Sequence, residues 1–221
     1  MNTQLTTLIE PDCRRSAQRS QLYQIFSVAF AYPHHEAKGY PVANGGFEDI
    51  VHAVQAMPPG PASAISPQPM AIFTLGDLQL RYTALFEVGN QHRNISLHES
   101  AFVATPKARL WEDIIRFYEY FGLSYNGKTI KRWPDHLVIQ LECLHYLSFL
   151  ETGLTGDKTP LLRAQHDFIE RHLLNWLPKL EKELARVEDA QPYAGLTGLL
   201  IAYLTADRAF LGQMLGQAPA A

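Results

Sequence analysis

The sequence predicts an all-α fold, a single globular bundle of about eight helices. Three observations predict it. Apolar residues recur at three- and four-residue spacing in one stretch after another. Start and stop signals punctuate those stretches: Thr74 with Asp77, Thr105-Pro106, Thr159-Pro160, and Gly122. No stretch alternates apolar and polar residues as a half-buried strand does, and no repeat of fixed period is present.

Residues 1–11 read as a flexible terminus. Asp12 can cap a first helix running to about Ala31, with Leu22, Ile25, Phe26, Ala29 and Phe30 on one stripe and Pro33 beyond its end. Arg14-Arg15 followed by Leu22 to Ala31 imitates an export signal. The stretch between is polar and carries Arg19, and the apolar part is short and helically periodic, so an ordinary first helix is expected. His34-His35-Glu36 sits in a Pro- and Gly-bearing stretch and reads as a solvated loop. From Asn44 or Gly45 to Met57 a short helix should bury Phe47, Ile50, Val51 and Val54. Pro58-Pro59-Gly60-Pro61 through Pro67-Gln68-Pro69 cannot be regular structure and reads as a long loop.

Thr74 and Asp77 form a capping-box pattern, followed by Leu78, Tyr82, Leu85 and Phe86 on one face and a stop at Gly89-Asn90. Gln91 to Ser100 reads as an irregular loop. Thr105 as cap and Pro106 at the first helical position should open a helix with Leu110, Ile114, Phe117, Tyr118 and Phe121 inward, ended by Gly122. A polar hinge of about 123–134 precedes the densest stretch, Trp133 to Leu150. Pro134 suits the first turn there, Asp135 favours the positive end of the helix dipole, and apolar residues cover nearly every side, which predicts a helix buried among others. It ends near Thr152-Gly153. Thr159-Pro160 repeats the capped start, and Leu161, Leu162, Phe168, Ile169, Leu173 and Leu174 carry that helix to Pro178, which should kink or break it. Gln191-Pro192 opens the last helix, with Leu196, Leu199, Leu200, Tyr203 and Leu204 as its stripe. The helical domain is expected over 12–215 with a flexible tail at 216–221.

With 19 basic and 22 acidic residues the formal net charge is −3, which gives no general attraction to nucleic acid or anionic membrane. Two cysteines, Cys13 and Cys143, have neither metal-ligand spacing nor a disulfide framework, so a reducing, cytoplasmic setting is expected. No apolar run is read as long enough to cross a bilayer.

Three constellations could carry chemistry. Glu142-x-x-His145 is half of a di-iron bundle site, but the second such pair is missing, so no metal is expected. Asp135-His136 could be an acid–base pair. Adjacent helical residues point about 100° apart, and no Gly-x-Ser-x-Gly elbow or suitably placed cysteine supplies a nucleophile. The plainer reading makes Asp135 a cap for free N–H groups and His136 a packed, hydrogen-bonded ring. His98-Glu99-Ser100 either caps the next helix or lines a groove with residues 133–136. In a groove, Asp135, Glu99 and Glu142 beside apolar walls would suit a peptide with arginines next to hydrophobic residues. A helical metalloprotein and a generic interaction scaffold stay open at this point.

The sequence also resembles the TorD/DmsD/NarJ family of cytoplasmic chaperones that mature molybdenum-containing redox enzymes. The likeness is carried by Tyr82-Thr83-Ala84-Leu85-Phe86 with Gly89, by Leu97-His98-Glu99-Ser100, and by Pro134-Asp135-His136-Leu137 followed by Gln140-Leu141-Glu142. His172 with Trp176-Leu177-Pro178 adds to it. Arg116 to Leu123 and His145-Tyr146-Leu147 are similar to the branch serving type II enzymes of the dimethyl sulfoxide reductase family. Arg132-Trp133 stands where that family often has an acidic residue, and Cys143-Leu144 replaces a commoner Phe-Met. The resemblance implies a non-enzyme without cofactor that binds the apo catalytic subunit of a molybdopterin enzyme. Binding would often be at the client's twin-arginine signal peptide, delaying export until the cofactor is inserted. It implies Tyr82, Phe86, Leu97, His98, Glu99, Ser100, Pro134, Asp135, His136, Gln140 and Glu142 as client-binding residues, no membrane insertion, and a monomer or domain-swapped dimer.

Overall fold

The structure is a computed structural model and describes residues 11–34, 39–57, 71–88, 94–126 and 132–217. Among the described residues eight α-helices follow one another: α1 (Pro11–Ala29), α2 (Gly46–Gln55), α3 (Leu75–Tyr82), α4 (Lys107–Tyr120), α5 (Leu137–Gly153), α6 (Thr159–Phe168), α7 (Leu174–Leu184) and α8 (Tyr193–Gln217). Among the described residues there is no strand, and one isolated bridge pairs His98 with His136. The all-α expectation therefore holds. The Pro-rich loop, His35 and Glu36, Gly89-Asn90 and residues 127–131 of the hinge lie outside the described residues.

The core forms where the periodic stripes meet. Helix α1 lies along α5, and Tyr23 and Phe26 of α1 and Leu141, Leu144 and Leu147 of α5 are buried, with both aromatic rings against Tyr203 of α8. Helices α6 and α7 pack on α8, and Leu177 and Leu180 of α7 and Leu196, Leu200 and Leu204 of α8 are buried. Removing each such side chain from water contributes about 1.5–3 kcal/mol before conformational entropy is counted. Asn44 and Gly45 take positive φ, which turns the chain into α2. The next residue must be glycine for a second reason: a Cβ on Gly46 would stand 2.1 Å from the Pro41 carbonyl oxygen.

Several helix ends behave as expected. The Thr74 hydroxyl accepts from Asp77 N–H (3.2 Å), and the Asp77 carboxylate accepts from Thr74 N–H (3.0 Å), completing the capping box. Gly122 (φ 79°) ends α4, its N–H bonding Glu119 O and the next N–H, of Leu123, bonding Tyr118 O.

Other ends differ. Pro106 takes an extended ψ and is itself the cap of α4, so Thr105 lies outside the helix and caps nothing. Thr159 is already helical, and the Asp157 carboxylate accepts from its N–H at 2.9 Å. Pro178 does not break its helix. Helix α7 runs through it, and the irregularity is a π turn at Ile169–Leu173 joining α6 to α7. A second π turn, Thr83–Glu87, continues α3. Helix α1 stops at Ala29, and α8 continues two residues beyond Leu215. The central helix is less enclosed than its composition suggests, since Phe149 and Glu142 face solvent.

Two further corrections concern charge and length. Arg19 reads as a polar interruption, yet it is 1 % exposed. Its guanidinium grips Asp207 of α8 at 2.6 and 2.9 Å, Glu151 of α5 at 2.8 Å and Gln165 of α6 at 2.7 Å, tying four helices at one point. The Tyr23 hydroxyl donates to the same Asp207 carboxylate. Within α8, Tyr193–Gly216 is long and apolar enough to cross a membrane, contrary to the reading of the sequence. Its inward face is the floor of the bundle, and Asp207 in that face is paired with Arg19.

Candidate functional site

The site is built on the turn that enters α5. His136 N–H bonds the Trp133 carbonyl (3.0 Å), folding residues 133–136 into a turn ahead of the helix. Pro134 and Asp135 therefore precede the first helical turn instead of forming it. The cap is His136: its Nδ1 accepts from Val138 N–H at 3.1 Å. That bond requires a ring without a proton on Nδ1. Burial, together with the neighbouring His98 and Arg132, pushes the His136 imidazole down to about 3.

A second segment is fastened beside this turn. Glu99 N–H donates to the Asp135 carbonyl (3.0 Å), and Leu137 N–H donates to the Leu97 carbonyl (2.9 Å). The His98 and His136 rings meet edge to face at 4.8 Å. Asp135 does not cap its own helix. Its carboxylate accepts from Ser100 N–H (3.0 Å), from Trp111 Nε1–H of α4 (2.7 Å) and from His98 Nδ1 (3.2 Å). Burial alone would raise this carboxyl, but the hydrogen bonds from His98 and Ser100 outweigh it and hold the group well below the ordinary carboxylate range. Tyr118 OH closes the back of the turn by donating to the Pro134 carbonyl at 2.9 Å.

Glu99 is the other post. Its carboxylate accepts from Gln140 Nε2–H (2.6 Å) and pairs with His172 Nδ1 (3.1 Å). The Gln140 amide oxygen accepts from Trp176 Nε1–H at 3.3 Å, and Trp176 stacks on Phe102. Asp135 is 0 % and Glu99 1 % exposed. Both carboxylates are thus occupied, and the open acidic groove of Asp135, Glu99 and Glu142 does not form. These two acids hold other side chains in place, and a ligand would meet what they hold.

Of the expected residues, the fold brings Leu97, His98, Glu99, Ser100, Pro134, Asp135, His136 and Gln140 into this one network. Tyr82 and Phe86 belong to an adjoining aromatic cluster, edge to face with each other at 5.0 Å and with Tyr193 of α8 at 5.8 and 5.2 Å. Burial pushes the Tyr82 hydroxyl up to about 12. The two groups are joined along the chain, since Ile95 N–H donates to Leu85 O (2.8 Å). Glu142 is exposed and makes none of these bonds. It does share a neighbour with Tyr82 and His136, because Arg132 is in electrostatic reach of all three.

Sequence reasoning missed Trp111 and Tyr118, took Arg132 only as a departure from the family pattern, and gave His172 and Trp176 no place in the site. His172 and Trp176 carried a usable signal: a polar ring and an indole four apart on one apolar helix. Trp111 also stacks on exposed Trp133 (4.4 Å between centroids), with the Lys107 ammonium 4.5 Å from the Trp111 ring. No nucleophile is presented at this site. The nearby Cys143 thiol is enclosed, and burial pushes it up, away from the reactive thiolate. No group of metal-ligating side chains occurs among the described residues.

Residues 69–182, about half the chain, match the family described as nitrate reductase delta subunit. The chain is 33% identical over 144 residues to the selenate reductase assembly chaperone protein of Thauera selenatis, covering 63% of this chain and 73% of that protein. It is 24% identical over 213 residues to the perchlorate reductase assembly chaperone protein of Dechloromonas aromatica, covering 90% and 92%. It is 23% identical over 218 residues to the chaperone protein TorD of Vibrio parahaemolyticus, covering 88% and 94%. No solved structure gives a significant match. The matched span holds α3, α4, α5 and both posts of the network, and the chain belongs to the nitrate reductase delta subunit family, the TorD/NarJ group.

Proposed function

We propose that this protein is an assembly chaperone that binds the apo catalytic subunit of a molybdopterin oxidoreductase and assists its maturation, without catalysing a reaction itself. The observation that carries this reading is the similarity to reductase assembly chaperones, which in one relative extends over nine-tenths of both chains. The geometry supports it in kind. The buried carboxylates are fully engaged in positioning, no activated nucleophile is presented, and the rings they position reach the surface at His98 and Trp133.

The finer reading is that the client is held at its twin-arginine signal peptide in the cytoplasm. Its apolar part would lie along Leu97–Ser100 and the 133–136 turn, beside Tyr82 and Phe86. Glu142 is the one exposed carboxylate of the expected set and would face an arginine of that peptide. Arg132 is in electrostatic reach of it, so an incoming arginine would meet a resident positive charge. The client's branch is that of type II dimethyl sulfoxide reductase-family enzymes, in keeping with relatives named for selenate and perchlorate reductases.

Affinity capture from the native host with the tagged full chain, followed by mass spectrometry, tests this. The expected catch is an unprocessed molybdoenzyme catalytic subunit, depleted when Glu142→Lys is the bait. Capture of no such subunit by the wild type overturns the chaperone reading; equal capture by Glu142→Lys overturns the placement of the arginine.

A further inference from the structure

The rod formed by α3 and its π turn buries one face, with Leu78, Tyr82, Leu85 and Phe86 inside. A helix of this kind normally turns charged residues outward. Here the opposite face carries Leu80, Ala84 and Val88 into a concavity of about 770 Å³, whose wall includes Tyr32. Leu80 is 74% and Val88 77% exposed. Single exposed aliphatics need no explanation, but two of them with an alanine and a tyrosine around one hollow form a patch.

Among the described residues that line the hollow, Asp77 is the only charged one. One Asp77 oxygen takes both hydrogen bonds from Thr74, and the other accepts none among the described residues. Glu87 is exposed beside Val88. Arg81, one turn on, is within electrostatic reach of Asp77, while its guanidinium donates to the carbonyls of Asp189 (2.8 Å) and Gln191 (3.2 Å) and lies over Phe73. Tyr32 meets Tyr82 edge to face at 5.4 Å, so the hollow is continuous with the aromatic cluster of the candidate site.

We propose that this outward face of α3 is a second docking surface for the client, taking an apolar peptide stretch on Leu80, Ala84 and Val88 and an adjoining basic residue at Asp77. The inference rests on the client-binding reading above and adds to it a surface on the far side of Tyr82 from the 133–136 turn's network.

The test is fluorescence anisotropy of the full chain with a labelled peptide in which two consecutive arginines precede an alanine- and leucine-rich run. Leu80→Glu and Val88→Glu change exposed positions and should leave the melting curve unaltered. Each is expected to raise Kd about tenfold. Asp77→Asn keeps an acceptor for Thr74 while removing the charge. It should weaken binding at low salt, with the difference closing as salt is added. Phe149→Glu, at an equally solvent-facing position on α5, should bind as the wild type does. Unchanged binding by both glutamate variants, equal loss in Phe149→Glu, or no binding of the peptide by the wild type overturns the docking surface. So does a wild-type dimer that Leu80→Glu converts to monomer without altering peptide affinity, since the face is then covered by a second copy. If wild-type chain still captures the molybdoenzyme subunit in any of these cases, the chaperone reading stands and this surface alone is lost. If it captures none, the reading falls, whatever the peptide does.

Discussion

Replacing Asp135 by alanine should destabilise the protein by about 2–4 kcal/mol. The carboxylate is wholly buried and accepts from Ser100 N–H, Trp111 Nε1–H and His98 Nδ1. Hydrogen bonds to a charged group contribute about 1.5–3 kcal/mol each, which sets an upper bound well above the expected loss. The bound is not reached because His98 is 30% exposed along its side chain and can turn to water. The Ser100 amide and the Trp111 indole keep less access, and each left unsatisfied costs about 1–3 kcal/mol. Urea denaturation followed by tryptophan fluorescence is the assay, with Trp111 itself a reporter. For a chain of this length the loss corresponds to roughly 4–16 °C in Tm. Asp135→Asn should fall between the two, because its amide group presents a donor where a second acceptor is needed. A loss below about 1 kcal/mol in the alanine variant, or an asparagine variant as stable as the wild type, would refute the assignment of the carboxylate as the post of this turn.

Three other perturbations have defined outcomes. The folded His136 ring titrates at about 3 against an unfolded value of 6.5, so the unfolded chain binds the extra proton first; its contribution is whole above pH 6.5 and is lost as pH falls towards 3. His136→Asn, which can still cap α5, should flatten that part of the stability–pH curve, and an unchanged slope would place the titration elsewhere. Arg19→Met strands Asp207 and Glu151 in the core and should cost about 3–5 kcal/mol by chemical denaturation; a near-neutral result would mean that the carboxylates are reached by water. Phe86→Ala removes a ring packed on Tyr82 and Tyr193 and should cost about 3–5 kcal/mol, whereas an unshifted melting curve would put the ring outside the core.

Much of the bundle was legible because stripes and terminators are local. Phe47, Ile50, Val51 and Val54 announce α2 by spacing alone, and Thr74 and Asp77 announce the start of α3 because both partners of the capping box lie within one turn. What was not legible depends on partners far along the chain. Arg19 looks like a solvated residue until Asp207 and Glu151 arrive from α8 and α5. Asp135 looks like a cap for α5 until α4 supplies an indole and the 97–100 segment supplies an amide. In both cases the local pattern is compatible with two roles, and long-range packing chooses between them. Thr105 and Thr159 failed for a smaller reason: a Thr-Pro pair does not say which of its residues takes helical dihedrals, and the two helices resolve it differently.

The paired bonds between Leu97–Glu99 and Asp135–Leu137 close a loop that contains all of α4. Closing it has an entropic cost that grows only slowly with its length, and α4 inside the loop is anchored back to the turn by Trp111 on Asp135 and Tyr118 on the Pro134 carbonyl. The same closure makes three amide hydrogens share one fate. Glu99, Ser100 and Leu137 donate to acceptors on the opposite segment, and none can reach deuterium unless the two segments part. Each measured against its own intrinsic exchange rate, they should share one protection factor, and a bound ligand that presses the segments together should raise all three by the same factor.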